Sequence, residues 1–270
     1  MRLFLFPRIF SLVLCSVSCL VFPISSHAMD KDPGSCSMSM ESVLSMLKKR
    51  QDIVLIDIRS EEAFAKFRIP ASIHIPLYAV KTKEFLKDKP LILISEGYPD
   101  SDLEQGCRDL RAVGFKRAFI LNGGLNDWKE KNGPLEGDVF CRQQVNKVPP
   151  GAFYKEKDSM YWLVIDISRP ATEPVIPRAV RLPFEGNREA FVPGLKRVIE
   201  ENPGPSSRAL LICDEKGQDY SNVESLIRKG KMRRVFYLSG GLEAYKAFLQ
   251  LGEQASRSAK EVTGKCPTCP

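Results

Sequence analysis

Short apolar runs bounded by polar residues recur along this chain, among them residues 52–57 (Asp-Ile-Val-Leu-Ile-Asp), Leu91–Ile94, Ala118–Leu121, 163–166 and 209–212. Runs this short and rich in aliphatic side chains predict strands covered on both faces, as in a parallel sheet. Between them the apolar positions fall three or four apart: Val43, Leu44 and Leu47; Leu103, Cys107 and Leu110; Val223, Leu226 and Ile227. That spacing predicts amphipathic helices. A short helix is expected over 61–67, broken by Ile69-Pro70, and a short strand at Ile73-His-Ile-Pro76. Strand and helix alternate, so the expected fold class is α/β, with mainly parallel sheets flanked by helices.

The order then repeats. Leu163-Val-Ile-Asp166 answers Leu55-Ile-Asp57, and Ile176-Pro-Arg-Ala-Val-Arg-Leu-Pro183 answers Ile69-Pro-Ala-Ser-Ile-His-Ile-Pro76. Arg234-Val-Phe-Tyr-Leu-Ser-Gly-Gly-Leu-Glu-Ala-Tyr245 answers Arg117-Ala-Phe-Ile-Leu-Asn-Gly-Gly-Leu-Asn-Asp-Trp128. Two copies of one α/β domain are therefore expected, over residues 39–135 and 155–250, joined by a linker at 136–154 that contains Pro149, Pro150 and Gly151.

Residues 1–28 change the picture at one end. Arg2 and Arg8, an apolar stretch from 11 to 24 and Ser26-His-Ala28 predict a signal peptide cleaved after Ala28. Export, to a periplasm-like compartment, with no stable membrane span left after cleavage, is the expectation. It would expose Cys36, Cys107, Cys141, Cys213, Cys266 and Cys269 to oxidising conditions. The formal charge of +7 falls to about +5 without Arg2 and Arg8, and the basic residues are interleaved with acids, so nucleic acid is not an expected partner. At the other end, residues 251–270 are expected to form a flexible tail carrying Cys266-Pro-Thr-Cys269. That pair could be an inert disulfide or a redox pair that takes sulfur or reduces it by exchange. It lacks the His of a haem-attachment site and supplies only half the ligands of a structural zinc.

The stretch with the most chemistry is Cys213-Asp-Glu-Lys-Gly-Gln-Asp219. The run 209–212 reads as a central strand that delivers Cys213 into a loop, followed by a helix capped by Asp219 or Ser221. A thiol between a strand end and a helix N-terminus meets N–H groups and a positive dipole that favour thiolate. A buried, inert cysteine accounts for the same residues.

Asp57-Ile-Arg-Ser, Ile69-Pro-Ala-x-x-x-Ile-Pro, a strand leading into a loop and Leu-x-Gly-Gly-x-x-x-Trp, found in this order and echoed in the second half, resemble the rhodanese domain. The chain looks like an exported tandem-rhodanese protein of the thiosulfate or mercaptopyruvate sulfurtransferase kind. The resemblance implies a loop cysteine that takes sulfane sulfur as a persulfide from a small donor (persulfide, polysulfide, thiosulfate or mercaptopyruvate). It then passes the sulfur to a thiol or thiol-protein acceptor, with no cofactor and no metal.

Carried over, Cys213 is the sulfur carrier, Asp214, Glu215, Lys216, Gly217, Gln218 and Asp219 form the substrate loop, and Arg178 or Arg181 faces the anionic donor. Cys266 and Cys269 are redox candidates. Ser95 takes the carrier position of the first copy, which is then silent; a hydrolase using Ser95 and His74 is the weaker alternative. The loop departs from the family in placing two acids after the cysteine, which disfavours thiosulfate as donor. Asp219, where a phosphatase needs Arg, disfavours phosphoryl transfer. A non-catalytic binding or sulfur-sensing module is the other reading.

Overall fold

The computed structural model describes residues 35–142, 144–169, 174–184, 186, 188–205 and 207–263. The expected signal peptide and Cys266 and Cys269 lie outside them. In chain order the first half contains β1 (Ser37–Met38), α1 (Met40–Lys48), β2 (Val54–Asp57), α2 (Glu61–Lys66), β3 (Phe67–Arg68) and β4 (Ile73–His74). It continues with α3 (Leu77–Val80), β5 (Leu91–Ile94), α4 (Ser101–Ala112), β6 (Ala118–Leu121) and α5 (Gly124–Glu130). Then come β7 (Glu136–Gly137), α6 (Val139–Arg142), β8 (Lys147–Val148), α7 (Pro150–Glu156), β9 (Trp162–Asp166) and β10 (Val180–Arg181). The chain ends with α8 (Arg188–Glu201), β11 (Ala209–Cys213), α9 (Tyr220–Lys229), β12 (Val235–Leu238) and α10 (Gly241–Thr263).

Local chemistry accounts for the helix starts. Ser39, Ser60 and Asp100 each accept a backbone N–H three residues on, from Ser42, Ala63 and Leu103, capping α1, α2 and α4. Among the described residues the strands form two five-stranded parallel sheets, ordered β1-β6-β5-β2-β4 and β8-β12-β11-β9-β10, and β3 pairs antiparallel with β7. The fold class is α/β, as expected, and the second sheet repeats the connectivity of the first.

The central strands β5 and β11 are buried at every position. Side chains alternate between faces: Leu91 and Leu93 pack under α4 with Cys107 and Phe115, while Ile92 and Ile94 pack with Trp128 and Val43. In the second sheet Leu210 and Ile212 meet Leu195 and Val223, while Ala209, Leu211 and Cys213 meet Phe153, Phe236 and Tyr245.

Two segments differ from expectation. The stretch 136–154 holds an edge strand of the second sheet, with Lys147 and Val148 in register with Tyr237 and Leu238, and then α7, whose Phe153 is fully buried. Its prolines mark the entry to α7, where the missing N–H costs nothing, rather than a loose connection. The last helix runs on to Thr263, well into the stretch read as flexible tail.

The halves touch through side chains. Tyr98 of the first half lies edge-on to Phe236, ring centroids 6.2 Å apart, and packs against the core around Cys213. The Ser101 N–H donates to Glu156 Oε1 at 2.9 Å, and Arg234 donates to Asn122 Oδ1 at 3.0 Å.

At the carboxyl end of β2, Asp57 is paired with Arg59 at 2.8 Å, both side chains essentially inaccessible to solvent. Arg59 also donates to the Phe67 carbonyl and covers the Phe67 ring. The second sheet replaces this with a smaller device: the carboxylate of Asp166 accepts from the N–H and hydroxyl of Ser168, and Arg181 Nε stands 3.8 Å away. Truncating Arg59 leaves a buried carboxylate without its cation, so Arg59→Ala is expected to lower stability by about 3–5 kcal/mol. Urea denaturation of the variant beside wild type measures it.

Candidate active site

Two loops follow the carboxyl ends of β5 and β11, the place where open α/β sheets carry their sites. The register fixes which residue heads each loop. Asp57 pairs with Ile94, and Asp166 pairs with Cys213. The Ile58 N–H donates to the Ile94 carbonyl at 3.0 Å, and the Ile167 N–H to the Cys213 carbonyl at 2.8 Å. One residue on, the Ser95 carbonyl accepts from Leu125 at 2.9 Å and the Asp214 carbonyl from Leu242 at 2.8 Å. Glu96 and Glu215 repeat the pattern with Asn126 and Glu243, both at 3.0 Å.

Structurally, therefore, Cys213 is the counterpart of Ile94, and Asp214 is the counterpart of Ser95. The expectation that Cys213 stands in the loop, level with Ser95, is corrected by one residue. That shift turns the side chain to the other face of the sheet. Cys213 points into the core with Phe236 and Leu211 and has no exposed surface.

The Gly-Gly turns hold both loop heads in place. Gly124 has φ 50° and Gly241 has φ 70°. A Cβ on Gly124 would lie 2.4 Å from the Ser95 oxygen, and one on Gly241 would lie 2.6 Å from the Asp214 oxygen. Only glycine permits both the dihedral and the approach.

The second loop is closed on itself. The Asp214 N–H donates to the Tyr220 hydroxyl at 3.1 Å, and the Asp219 N–H donates to Asp214 Oδ2 at 3.3 Å. The Asp214 side chain is buried, so a carboxylate from the loop itself takes up a donor that an anionic ligand would use. Glu215, Lys216 and Gln218 are exposed, and Lys216 pairs with Glu243 at 3.5 Å. Gly217 takes a positive φ beside the Tyr220 ring. Asp219 precedes α9 but makes no side-chain capping bond, so the expected cap is absent there.

Arg178 does not join the loop. Its guanidinium donates to the carbonyls of Lys157 and Ser159, which precede β9, at the opposite end of the sheet. Arg181, near Asp166, is the arginine brought to the carboxyl end. Burial, reinforced by the carboxylates of Asp166 and Asp214, pushes the Cys213 thiol well above its ordinary range. α9 begins at Tyr220, seven residues after Cys213 in the chain, and the loop returns so that the Tyr220 hydroxyl meets the Asp214 N–H.

In the first half Ser95 is nearly buried, and burial raises the carboxyl pKa of Glu96 beside it. His74 is committed elsewhere, its Nε2 within 2.7 Å of the Arg59 carbonyl and its ring stacked on Phe64. Among the described residues no group of three or more His, Cys, Asp and Glu is placed to hold a metal, and no helix is long and apolar enough to cross a membrane. The sequence reading missed Tyr220 and Asp166. Asp166 could have been found from its match to Asp57, whereas Tyr220 gave no signal beyond its place beside Asp219.

Residues 39–131 match the rhodanese-like domain. A sulfurtransferase of Allochromatium vinosum is 27% identical over 97 residues, covering 35% of this chain and 89% of that protein. The uncharacterized protein YibN of Escherichia coli is 29% identical over 94 residues, and the aligned stretch covers 33% of this chain and 64% of YibN. The thiosulfate sulfurtransferase GlpE of Pseudomonas syringae is 28% identical over 83 residues, 30% of this chain and 76% of that protein. Among solved structures, BH2092 of Bacillus halodurans is 27% identical, covering 39% of this chain and 79% of its own, with a TM-score of 0.33. The rhodanese-like match thus falls on the half whose loop is headed by Ser95.

A raised thiol pKa displaces the rise of alkylation with pH upward. Cys213 in the native protein is therefore expected to react with iodoacetamide at least about 100-fold more slowly than in the urea-unfolded chain, through pH 9. Gly241→Ala, which pushes the loop off its seat, is expected to raise the native rate at least about tenfold, because local opening exposes the thiol. Peptide mass mapping of alkylated Cys213 against time measures both.

Proposed function

We propose that this chain is an exported rhodanese-like sulfurtransferase with two rhodanese folds in tandem. Cys213 holds sulfane sulfur as a persulfide and passes it to a thiol acceptor. The observation that carries this reading is the position of Cys213 at the carboxyl end of the central strand, one residue before the loop held by the Gly-Gly turn. The rhodanese-like match and the sulfurtransferases among the relatives support sulfur transfer as the chemistry.

The burial of Cys213 adds a requirement: the loop 214–219 must open before a donor reaches the thiol. The Asp214 carboxylate within that loop repels the dianion thiosulfate, so a donor that can enter in protonated form, a persulfide RSSH or a hydrogen polysulfide, is the better one. Sulfur loading is the formation of a bond between the Cys213 thiolate and the outer sulfur of the donor, whose remaining thiolate leaves. Discharge is attack by the acceptor thiolate on that outer sulfur, which returns the Cys213 thiolate.

One observation favours a second reading. The equivalent loop heads are Ser95 and Asp214, neither of which can hold a persulfide, and the second loop already contains its own carboxylate. On this reading the chain is a binding module that uses the rhodanese fold without transferring sulfur.

Intact mass of the reduced protein, before and after polysulfide, thiosulfate or mercaptopyruvate, separates the two. The transfer reading expects a sulfur adduct of roughly 32 Da on wild type with polysulfide that disappears in Cys213→Ser. No adduct on wild type, but one on Asp214→Cys, would discard the transfer reading and leave the binding module.

A further inference from the structure

The described cysteines are Cys36, Cys107, Cys141 and Cys213, all with free thiols. Their positions are not equivalent. Cys36 and Cys107 belong to the same core cluster, on the α4 face of the first sheet, and are both buried. Both are anchored to β6: the Cys36 carbonyl accepts from the Ile120 N–H at 2.7 Å, and Cys107 Sγ donates to the Ala118 carbonyl at 3.5 Å. Burial first, and then the neighbouring Cys36 thiol, push the Cys107 thiol above its ordinary range, as two cysteines of one core cluster would. Cys141 packs against the cluster on the other face of that sheet, with its Sγ on the Asp138 carboxylate, and Cys213 lies in the second sheet's core.

We propose that Cys36 and Cys107 form a disulfide that fastens the N-terminal edge strand to α4. Nothing in the spacing of the cysteines along the chain singles out this pair. The fold does, because the sheet stands between Cys36 and Cys141.

The bond forms by two thiol–disulfide exchanges with a small disulfide oxidant, RSSR. The Cys36 thiolate attacks one sulfur of RSSR and the first RS⁻ leaves. The Cys107 thiolate then attacks the Cys36 sulfur of the mixed disulfide, and the second RS⁻ leaves. The protein loses two electrons and two protons, and RSSR gains them as two RSH.

Cys36 is the natural entry point, because β1 is an edge strand of two residues. Burial holds the Cys107 thiol above its ordinary range and disfavours its thiolate, so closure accompanies folding rather than following it. Once closed, the bridge withdraws both thiols from sulfur chemistry.

The test refolds the full-length chain in a glutathione disulfide and glutathione buffer, followed by alkylation, digestion without reductant and mass mapping. The Cys141→Ser variant is treated in parallel to exclude exchange through that thiol. The expected result in both proteins is a linked pair of peptides holding Cys36 and Cys107, separated by dithiothreitol. The melting temperature is expected to fall by roughly 10 °C on reduction. Recovery of Cys36 and Cys107 as separately alkylated peptides, or of either one linked to a different cysteine, would overturn the proposal.

Discussion

The approach of a Gly-Gly turn to the residue that heads a loop is the constraint on which both halves of this fold depend. At Gly124 and Gly241 the backbone leaves no room for a side chain, and the following N–H groups bond the carbonyls of Ser95 and Asp214. These contacts clamp the loop to the start of the next helix. The parallel register behind them then leaves no freedom in what faces out: the residue before the clamp is the last of the strand, and its side chain belongs to the core. One residue of register thereby decides whether a thiol lies in the apolar core or heads the loop.

The same clamp serves two different electrostatic arrangements. In the first half a buried Asp57–Arg59 pair stands behind the loop, its guanidinium also spent on the Phe67 carbonyl. In the second half Ser168 replaces that arginine, and a second carboxylate, Asp214, sits within the loop and accepts one of its N–H groups. Burial first, and then the two carboxylates, favour the neutral form of the Cys213 thiol. A change that removes the Asp214 charge therefore acts on the protonation of Cys213 as well as on access to it.

Most of the architecture was legible in the sequence because buried parallel strands announce themselves as apolar runs. Leu91–Ile94, Ala118–Leu121 and the capped helix α4 stand where periodicity puts them. The site was less legible. Cysteine behaves both as a small apolar strand residue and as a nucleophile, and a run of four aliphatics followed by Cys213 looks the same as one followed by Ser95. Alternation within Ala209, Leu211 and Cys213 carried the needed signal, since all three share one face. The prolines at 149 and 150 misled for a related reason: proline suits the first turn of α7 as well as it suits a linker. The path of Arg178 to the carbonyls of Lys157 and Ser159 depends on tertiary placement that no local pattern encodes.

Tyr98 belongs to the loop headed by Ser95, yet its ring rests edge-on to Phe236, on the strand beside β11. Moving the first loop would draw an aromatic ring out of the core that covers Cys213, and loosening that core would release the ring. The first loop is thus part of the wall around the core that holds Cys213. A chain cut between its two sheets would strip the first loop of its support and expose Phe236 on β12, so the halves share a single mechanical fate even though each carries its own sheet.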